Sequence, residues 1–308
     1  MRPIRSFSLR GQRLSESASR MMARYGHHYV IDVPQGEGVV TAASDATLDF
    51  DAIYGRNAPL VVEVGPGSGE QIVASAERHP DVNYLALEAW EPGVAKCVSN
   101  IVRSGVDNVR VMNLDAQQAL PILFRPGGTR ATEVWTFFPD PWRKKKHRKR
   151  RLVNPSFART MAQMLDKGGM WRLATDWDNY AWQMRDVLEE SPWFDNPHRG
   201  ERSDDADTGL YQGGFAPRFA ERVVTRFEER GIEAGRVTHD LCVVRNDVAL
   251  DAYEVPADPW VAAEQRGIHV VADEGGERAP SSRRGWLQLQ EAGSASSDNT
   301  AHSTGADL

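Results

Sequence analysis

Residues 60–69 read LVVEVGPGSG, and this stretch decides the fold. The apolar run from Leu60 to Val64 predicts a buried strand, and the glycines that follow predict a tight turn. A helical pattern then runs from Glu70 to His79. A strand, a glycine-rich turn and a helix in this order are typical of an α/β domain, in which backbone N–H groups at the helix start face a ligand.

The same alternation continues along the chain. Strands are predicted at 84–88, 109–112, 132–138, 170–174 and 238–245, and helices at 45–54, 91–103, 115–123, 155–166, 178–190 and from 225 onward. This spacing predicts a doubly wound α/β fold with a mostly parallel central sheet and one antiparallel strand near the C-terminus. Gly168 and Gly169 predict a turn, and 191–222 predict surface loops. We divide the chain into a basic N-terminal arm and connector (1–50), a cofactor-binding domain (51–250) and a disordered tail (251–308).

The glycine spacing indicates which cofactor the turn holds. A dinucleotide fingerprint requires a third glycine at position 70, which is Glu70. The observed pattern is E-x-G-x-G-x-G, from Glu63 through Gly65 and Gly67 to Gly69. A carboxylate at Glu63 is unfavourable beside a phosphate and favourable beside a cation, so the pattern favours a cofactor with positive charge and no phosphate. S-adenosyl-L-methionine is such a cofactor; the plainer alternative is a tight turn without a ligand.

Two further acids follow the next two predicted strands. Glu88 ends the second strand and is placed to accept hydrogen bonds from both hydroxyls of a ribose. Asp115 follows the third strand and is placed to accept from an adenine amino group. Because the carboxyl ends of parallel strands meet at one edge of the sheet, the three acids favour S-adenosyl-L-methionine over a bare turn.

A second informative stretch is 133–151, EVWTFFPDPWRKKKHRKRR. A predicted buried strand ends in a turn that holds Asp140 between two prolines, followed by Trp142. Asp140 suits a ligand site at the strand end but also suits a turn cap. Trp142 suits either the core or stacking on a base. The acid and the aromatic beside a basic run predict that a nucleic-acid base is brought to the cofactor here.

Positive charge is concentrated in this stretch. The chain has 37 Lys and Arg against 43 Asp and Glu, a formal net charge of −6, yet eight of the 37 fall within residues 143–151. Such a run is either a solvated face or a surface for a polyanion, and mutual repulsion of the cations favours the second. The two cysteines, Cys97 and Cys242, form no metal-binding spacing, so we expect buried reduced thiols, no metal and a cytoplasmic protein without membrane spans.

At this point the chain resembles the bacterial tRNA (guanine-N7-)-methyltransferase family. The resemblance is carried by FFPDPWRKKKHRKRR at 137–151, ATDW at 174–177, TRFEERG at 225–231 and RSFSLR at 5–10, and it covers roughly residues 5–245. The chain departs from the family at Pro66 and in the tail. The resemblance implies a Rossmann-like methyltransferase domain that moves a methyl group from S-adenosyl-L-methionine to N7 of a guanosine in the tRNA variable loop, position 46.

The resemblance also implies residue roles. Asp140 is expected to act catalytically, through positioning and electrostatics. The expected cofactor-binding residues are Glu63, Gly65, Gly67, Gly69, Glu88, Asp115 and Asp140. The expected substrate-binding residues are Lys144, Asp176, Thr225, Arg226, Phe227 and Glu228, and the expected RNA-binding residues are Lys146, His147, Arg148, Lys149, Arg150 and Arg151. Asp176 equally suits an N-cap of the following helix.

Guanine N7 has an exposed lone pair and no proton, so this reaction requires no general base. Two other functions remain as alternatives: an RNA-binding protein that is catalytically idle or acts on another RNA, and a nicotinamide oxidoreductase, which the glycine spacing disfavours. We expect tRNA as the partner and no obligatory protein partner.

Overall fold

The computed structural model describes residues 5–8, 11, 13–203, 205–207 and 211–255. Its helices are α1 (Glu16–Tyr29), α2 (Phe50–Tyr54), α3 (Glu70–Arg78), α4 (Glu91–Ser104), α5 (Ala116–Leu123), α6 (Pro155–Met164), α7 (Asp178–Glu190) and α8 (Arg226–Glu233). Its strands are β1 (Leu60–Val64), β2 (Asn83–Leu87), β3 (Val109–Met112), β4 (Ala131–Phe137), β5 (Leu165–Thr175), β6 (Phe194–Asp195) and β7 (His239–Arg245). Two 3-10 helices cover Lys145–Arg150 and Leu250–Ala252.

The described strands form one sheet in the order β3-β2-β1-β4-β5-β7-β6. The pairs from β3 to β5 are parallel, and β7 is antiparallel to both of its neighbours. The predicted mostly parallel, doubly wound sheet with an antiparallel strand near the C-terminus is thereby confirmed. Strand order reverses at β1 and β4, so the crevice for a ligand opens between their carboxyl ends.

Helices cover both faces of the sheet. One core packs α2, α5, α6 and α7 against the sheet, and the other packs α1, α3 and α4 against it. Every residue of β1 and β2 is buried, which is the pattern of a parallel sheet covered on both sides. The two faces are therefore distinct, and each contributes a different wall to the crevice.

Helix α1 occupies a segment where the sequence indicated only a basic arm. The Ser15 side chain caps it by accepting a hydrogen bond from the Ala18 N–H at 3.2 Å. Beyond the helix, the Ile31 N–H donates to the Val111 carbonyl at 2.9 Å, which covers the outer edge of β3. Of the residues in α1 only Gly26 is buried, but Met22, Tyr25 and Tyr29, spaced along one helical face, pack partly buried against the core that contains α4, a stripe that the sequence prediction overlooked. The division of the chain near residue 50 stays a prediction.

Two local differences from the sequence expectations concern β5 and the region after α7. Strand β5 begins at Leu165 and therefore includes Gly168 and Gly169, where a turn was predicted. Its pairing with β4 is irregular in this part. The expected loops at 191–222 include the short strand β6. The following segment is held by Arg185, whose Nη2 donates to Asp207 at 2.9 Å with both side chains buried.

The predicted tail lies outside the described residues except for 251–255, where the Tyr253 ring packs against Trp193 at 5.7 Å. Cys97 is buried, whereas Cys242 is only partly buried, and both are free thiols. No helix in the described ranges is both long enough and apolar enough to cross a membrane.

Candidate active site

A cleft of about 860 Å³ opens at the carboxyl edge of the sheet, above the ends of β1, β2 and β4. Nine of the residues expected to bind cofactor or substrate line it: Glu63, Gly65, Gly67, Glu88, Asp115, Asp140, Thr225, Arg226 and Phe227. Gly69, Lys144, Asp176 and Glu228 are not among its lining residues. The sequence therefore identified most of these residues as neighbours in one cleft. The structure distinguishes the residues that line the cleft from those that lie behind or beside it.

The glycine turn is fixed by close packing against α4. A side chain at Gly69 would place its Cβ 2.5 Å from the Cys97 sulfur, and the backbone there is left-handed with φ of 77°. Only glycine meets both conditions, so Gly69 shapes the turn from behind rather than facing the cleft. The Gly67 N–H donates to the Glu88 carboxylate at 3.1 Å, which joins the turn to the end of β2.

Glu63 is a buried carboxylate whose Oε2 has no hydrogen-bond partner among the residues that the structure describes. Burial raises the pKa of Glu63 to about 8; a backbone interaction at Ile72 opposes the shift and the neighbouring Glu88 adds to it. An unsatisfied buried oxygen is costly, at roughly 1–3 kcal/mol. An ammonium group at this point in the cleft would satisfy it.

Glu88 presents a pre-aligned carboxylate to the cleft. Its Oε1 accepts from the Trp90 N–H at 2.8 Å and its Oε2 accepts from the Gly67 N–H. Burial raises the pKa of Glu88, and these backbone donors counteract the shift. The remaining lone pairs are directed by a rigid backbone frame, which suits two neighbouring hydroxyl donors.

Asp115 has two roles. Its Oδ1 accepts from the Gln117 N–H at 3.0 Å and so caps α5, and the residue also lines the cleft. Burial raises the pKa of Asp115, and the Gln117 hydrogen bond and Arg5 oppose the shift. The cap fixes the side chain while its second oxygen can accept from an amino group.

Together these carboxylates fit S-adenosyl-L-methionine. Glu63 would hold its ammonium, Glu88 its ribose and Asp115 its adenine amino group. When bound, the cofactor supplies an electrophilic methyl group.

Asp140 lies in a strained loop that leaves β4. Phe138 and Trp142, on either side of it, have φ of 50° and 43°, a region that bulky residues seldom adopt. The Asp140 carboxylate accepts no hydrogen bond from the described residues and is exposed to the cleft, so it is not a turn cap. Partial desolvation by the cleft walls raises the pKa of Asp140, and the nearby Arg150 guanidinium opposes the shift.

Trp142 neither enters the core nor stands free for a base. Its Nε1 donates to the Ser6 carbonyl at 2.9 Å, and the Arg150 guanidinium lies 3.6 Å from the centre of its ring. Arg150 also donates to the carbonyls of Arg5 and Phe7, at 2.7 and 2.8 Å. Through these contacts the segment Arg5–Ser8 is held across the cleft, which Ser6, Phe7 and Ser8 help to line.

The basic run 143–151 divides into an outer and an inner part, and the expectation that 146–151 contact RNA stays a prediction. Lys146 and Lys149 are exposed and His147 is half-buried. Arg148 has only 7% of its surface exposed, and Arg151 has none. Arg151 donates to the Pro141 carbonyl at 2.8 Å and to Gln183 at 2.7 Å, so it braces the loop from inside. Arg150 holds the N-terminal segment.

Helix α8 brings a second set of expected residues to the cleft. Thr225 caps the helix, since its hydroxyl accepts from the Glu228 N–H at 3.3 Å. Phe227 presents a ring that is 62% exposed at the cleft mouth. Glu228 points away from the cleft and is buried against Arg222, with 3.2 Å between Oε1 and Nη1. Glu228 therefore supports the site from behind, and its expected contact with the substrate stays a prediction.

Lys144 and Asp176 flank the cleft without lining it. Lys144 is exposed and precedes the 3-10 helix. Asp176 does not cap α7, whose cap residue is Trp177; its Oδ2 accepts from Arg236 Nε at 2.6 Å and faces Gly231 of α8. Asp176 thus connects the end of β5 to α8.

Sequence reasoning missed several residues that line the cleft: Lys96, Arg103, Arg222 and Arg230. Arg222 is buried and paired with Asp240 at 2.8 Å. Arg230 lies in the TRFEERG stretch but was given no role there, and the other three stand singly in helical or loop sequence without a motif. Only the folding of α4 and α8 onto the glycine turn brings them together.

Comparison with known proteins agrees with this geometry. A family model described as "Putative methyltransferase" matches residues 57–241. A tRNA (guanine-N(7)-)-methyltransferase of Cutibacterium acnes is 42% identical, and the alignment covers 80% of this chain and 84% of that protein. Proteins of the same name from Nocardioides sp. (41% identical, 81% and 90% covered) and Paenarthrobacter aurescens (38%, 78% and 90%) are similarly close.

The family match extends from before β1 into β7, so it includes the glycine turn, the three acids and the Asp140 loop. The relatives are matched over most of their own length. The chain belongs to the tRNA (guanine-N(7)-)-methyltransferase family.

Proposed function

We propose that this protein transfers a methyl group from S-adenosyl-L-methionine to N7 of a guanosine in the tRNA variable loop, at position 46. The observation that carries the proposal is the meeting of two features at one sheet edge: an acidic cleft fitted to a cationic cofactor, and the exposed cations of a basic 3-10 helix beside Asp140. The names of the relatives support the same acceptor and atom.

The chemistry matches the groups present. The N7 lone pair attacks the methyl carbon, the carbon–sulfur bond breaks, and its electron pair returns to sulfur. No proton leaves, so the protein's task is alignment and stabilisation of the charge that moves onto the guanine ring. Asp140, exposed to the cleft, would accept hydrogen bonds from guanine N1–H and the exocyclic amine, which strengthen as the ring becomes cationic.

The exposed cations beside the cleft would hold the RNA. Lys144, Lys146 and Lys149 face solvent near Asp140, and Arg226 and Phe227 border the other side of the opening. Cationic side chains bind phosphates, and an aromatic ring can stack on an unpaired base. We infer that the protein acts on tRNA in the cytoplasm without an obligatory protein partner.

Nucleoside analysis of tRNA tests donor, acceptor and atom together. Purified protein, methyl-labelled cofactor and a tRNA transcript should yield labelled 7-methylguanosine, and a transcript with adenosine at position 46 should yield none. Product from the second transcript would refute the assignment to the variable loop. Cofactor binding in calorimetry without any product would indicate the idle RNA-binding alternative.

A further inference from the structure

Four cations surround the cleft mouth above the glycine turn, and the proposed function uses only Arg226 among them. Lys96 and Arg103 belong to α4, and Arg226 and Arg230 belong to α8. All four are exposed and all four line the cleft. They form a groove between the two helices, which we call the α4–α8 groove.

The groove has a fixed shape because both helices are tied to the turn and to the start of α3. On one side Asn100 Nδ2 donates to the Ser68 carbonyl at 2.7 Å. On the other the Arg226 N–H donates to the Glu70 carboxylate at 3.2 Å, and the Val223 N–H donates to Gln71 Oε1 at 2.7 Å. The floor of the groove is therefore the cofactor turn itself.

Spacing along each helix aligns the cations. Lys96 and Arg103 are two turns apart on α4, a rise of roughly 10 Å along one face. Arg226 and Arg230 are one turn apart on α8, roughly 6 Å. The four charges thus form two short rows along the walls of the groove.

These charges lack acidic partners. Among the described residues none of the four makes an ion pair with a carboxylate, whereas Arg218 and Arg222 nearby both pair with Glu228. Arg103 donates only to the Asn100 side chain, and the Lys96 ammonium lies 5.2 Å from the centre of the Trp90 ring. Glu63 is buried below the groove, and Glu70, the half-buried acid beside it, accepts hydrogen bonds from the Ser68 hydroxyl and the Arg226 N–H. In a protein of net charge −6, four unpaired cations in one groove favour an anionic ligand with several charges.

We propose that the α4–α8 groove binds the phosphate backbone of the RNA as a second contact surface. Leu152 and Val153, which follow the basic 3-10 helix, pack into the core on the α5–α7 side, whereas α4 packs on the other face of the sheet. The two cationic surfaces therefore flank the cofactor turn from opposite sides. A strand that delivers a base into the cleft is then held before and after that base. This inference rests on the proposed function for the identity of the RNA, but RNA binding to the groove is measured without catalysis.

The test is direct binding of unmodified tRNA to full-length Lys96→Gln/Arg103→Gln protein over a range of salt concentrations, without cofactor. Loss of two phosphate contacts should weaken binding about tenfold or more at about 0.1 M salt, and should reduce the slope of log K against log salt by roughly 1.4–1.8. Arg226→Gln/Arg230→Gln should behave alike. Both pairs are exposed, so circular dichroism and thermal melts should match those of the wild type.

The matched control is Arg125→Gln/Lys167→Gln, which removes two exposed cations at the amino-terminal edge of the sheet. Its tRNA affinity and salt slope should remain near the wild-type values. An unchanged affinity in the α4 variant, or an equal loss in the control, would overturn the groove as an RNA surface. A wild-type protein that forms no 7-methylguanosine, together with a groove variant that loses tRNA affinity, would refute the proposed function and leave the groove intact.

Discussion

At the scale of single residues, the chemistry of the cleft depends on carboxylates whose surroundings differ. Glu63 is buried with an unpaired oxygen, whereas Asp140 is exposed to the cleft in a strained loop. We propose that the first receives the fixed cation of the cofactor and that the second meets the substrate.

Glu63 predicts how cofactor affinity depends on pH. The pKa of Glu63 is about 8 in the free protein, so Glu63 is protonated below that pH. An ammonium group that binds to Glu63 below pH 8 must therefore displace the carboxyl proton. The amino group of the cofactor has a pKa of about 8 and loses its proton above about pH 8, so it is then no longer a cation. The association constant measured by calorimetry should therefore peak near pH 8, with an acid limb approaching tenfold per pH unit.

The Glu63→Gln variant should bind the cofactor more weakly and lose the acid limb. Proton release at about pH 7, measured by calorimetry in buffers of different ionisation enthalpy, should vanish with it. An acid limb that persists in the variant would assign the proton to another group.

Asp140→Ala tests the predicted role of the exposed carboxylate. Turnover on tRNA should fall by about 100-fold, in line with the loss of one transition-state hydrogen-bonding group, while the Kd values for cofactor and tRNA change only a few-fold. The control is Asp166→Ala, an exposed acid in the irregular start of β5. Near-normal kcat in Asp140→Ala would remove the residue from the reaction.

At the scale of elements, the 3-10 helix Lys145–Arg150 and the residue after it combine two surfaces. Its exposed lysines face solvent, and its arginines are turned inward. Burial lowers the pKa of Arg151 to about 9, so the guanidinium remains charged at neutral pH and depends on its acceptors in the interior.

Substitutions in this element should separate RNA binding from folding. Lys146→Gln/Lys149→Gln should weaken tRNA binding and reduce its salt slope by roughly 1.4–1.8, with an unchanged melting temperature. Arg151→Gln should lower the free energy of unfolding by about 1–3 kcal/mol, because buried acceptors such as the Pro141 carbonyl lose their donor. The prediction fails if denaturant titrations find Arg151→Gln as stable as the wild type.

At the scale of the whole molecule, the buried carboxylates of the cleft destabilise the free protein at high pH. An ordinary glutamate has a pKa of 4.5, and Glu63 holds its proton until about pH 8. Between pH 4.5 and about 8, the Glu63 carboxyl is ionised in the unfolded chain but protonated in the folded chain. The stability associated with protonated Glu63 is therefore lost as the pH rises.

We therefore expect the wild type, relative to Glu63→Gln, to lose up to about 1.4 kcal/mol of unfolding free energy per pH unit between about pH 5 and 8. Urea titrations without cofactor at several pH values measure the difference, and the comparison cancels contributions from Glu88 and Asp115. Parallel curves for the two proteins would contradict the raised pKa of Glu63.

The sequence by itself determined the order of the elements and the chemistry at the strand ends. Strands buried on both faces appear as continuous apolar runs, and Gly69 and Glu63 each occupy a position that one residue type fits. These signals are local, because they arise from backbone geometry and burial within a few residues. Helix α1 was overlooked, since its apolar stripe of Met22, Tyr25 and Tyr29 is only partly buried and stands among polar and basic residues.

Only the tertiary structure decided which cations of the basic run face solvent and which are buried. Arg151 and Lys149 are two residues apart and look equivalent in sequence, but the interior acceptor that distinguishes them, Gln183, belongs to α7. The α4–α8 groove likewise joins residues more than 120 positions apart. Charge repulsion and the desolvation of a guanidinium depend on distances in space, and those distances are set by the folded chain as a whole.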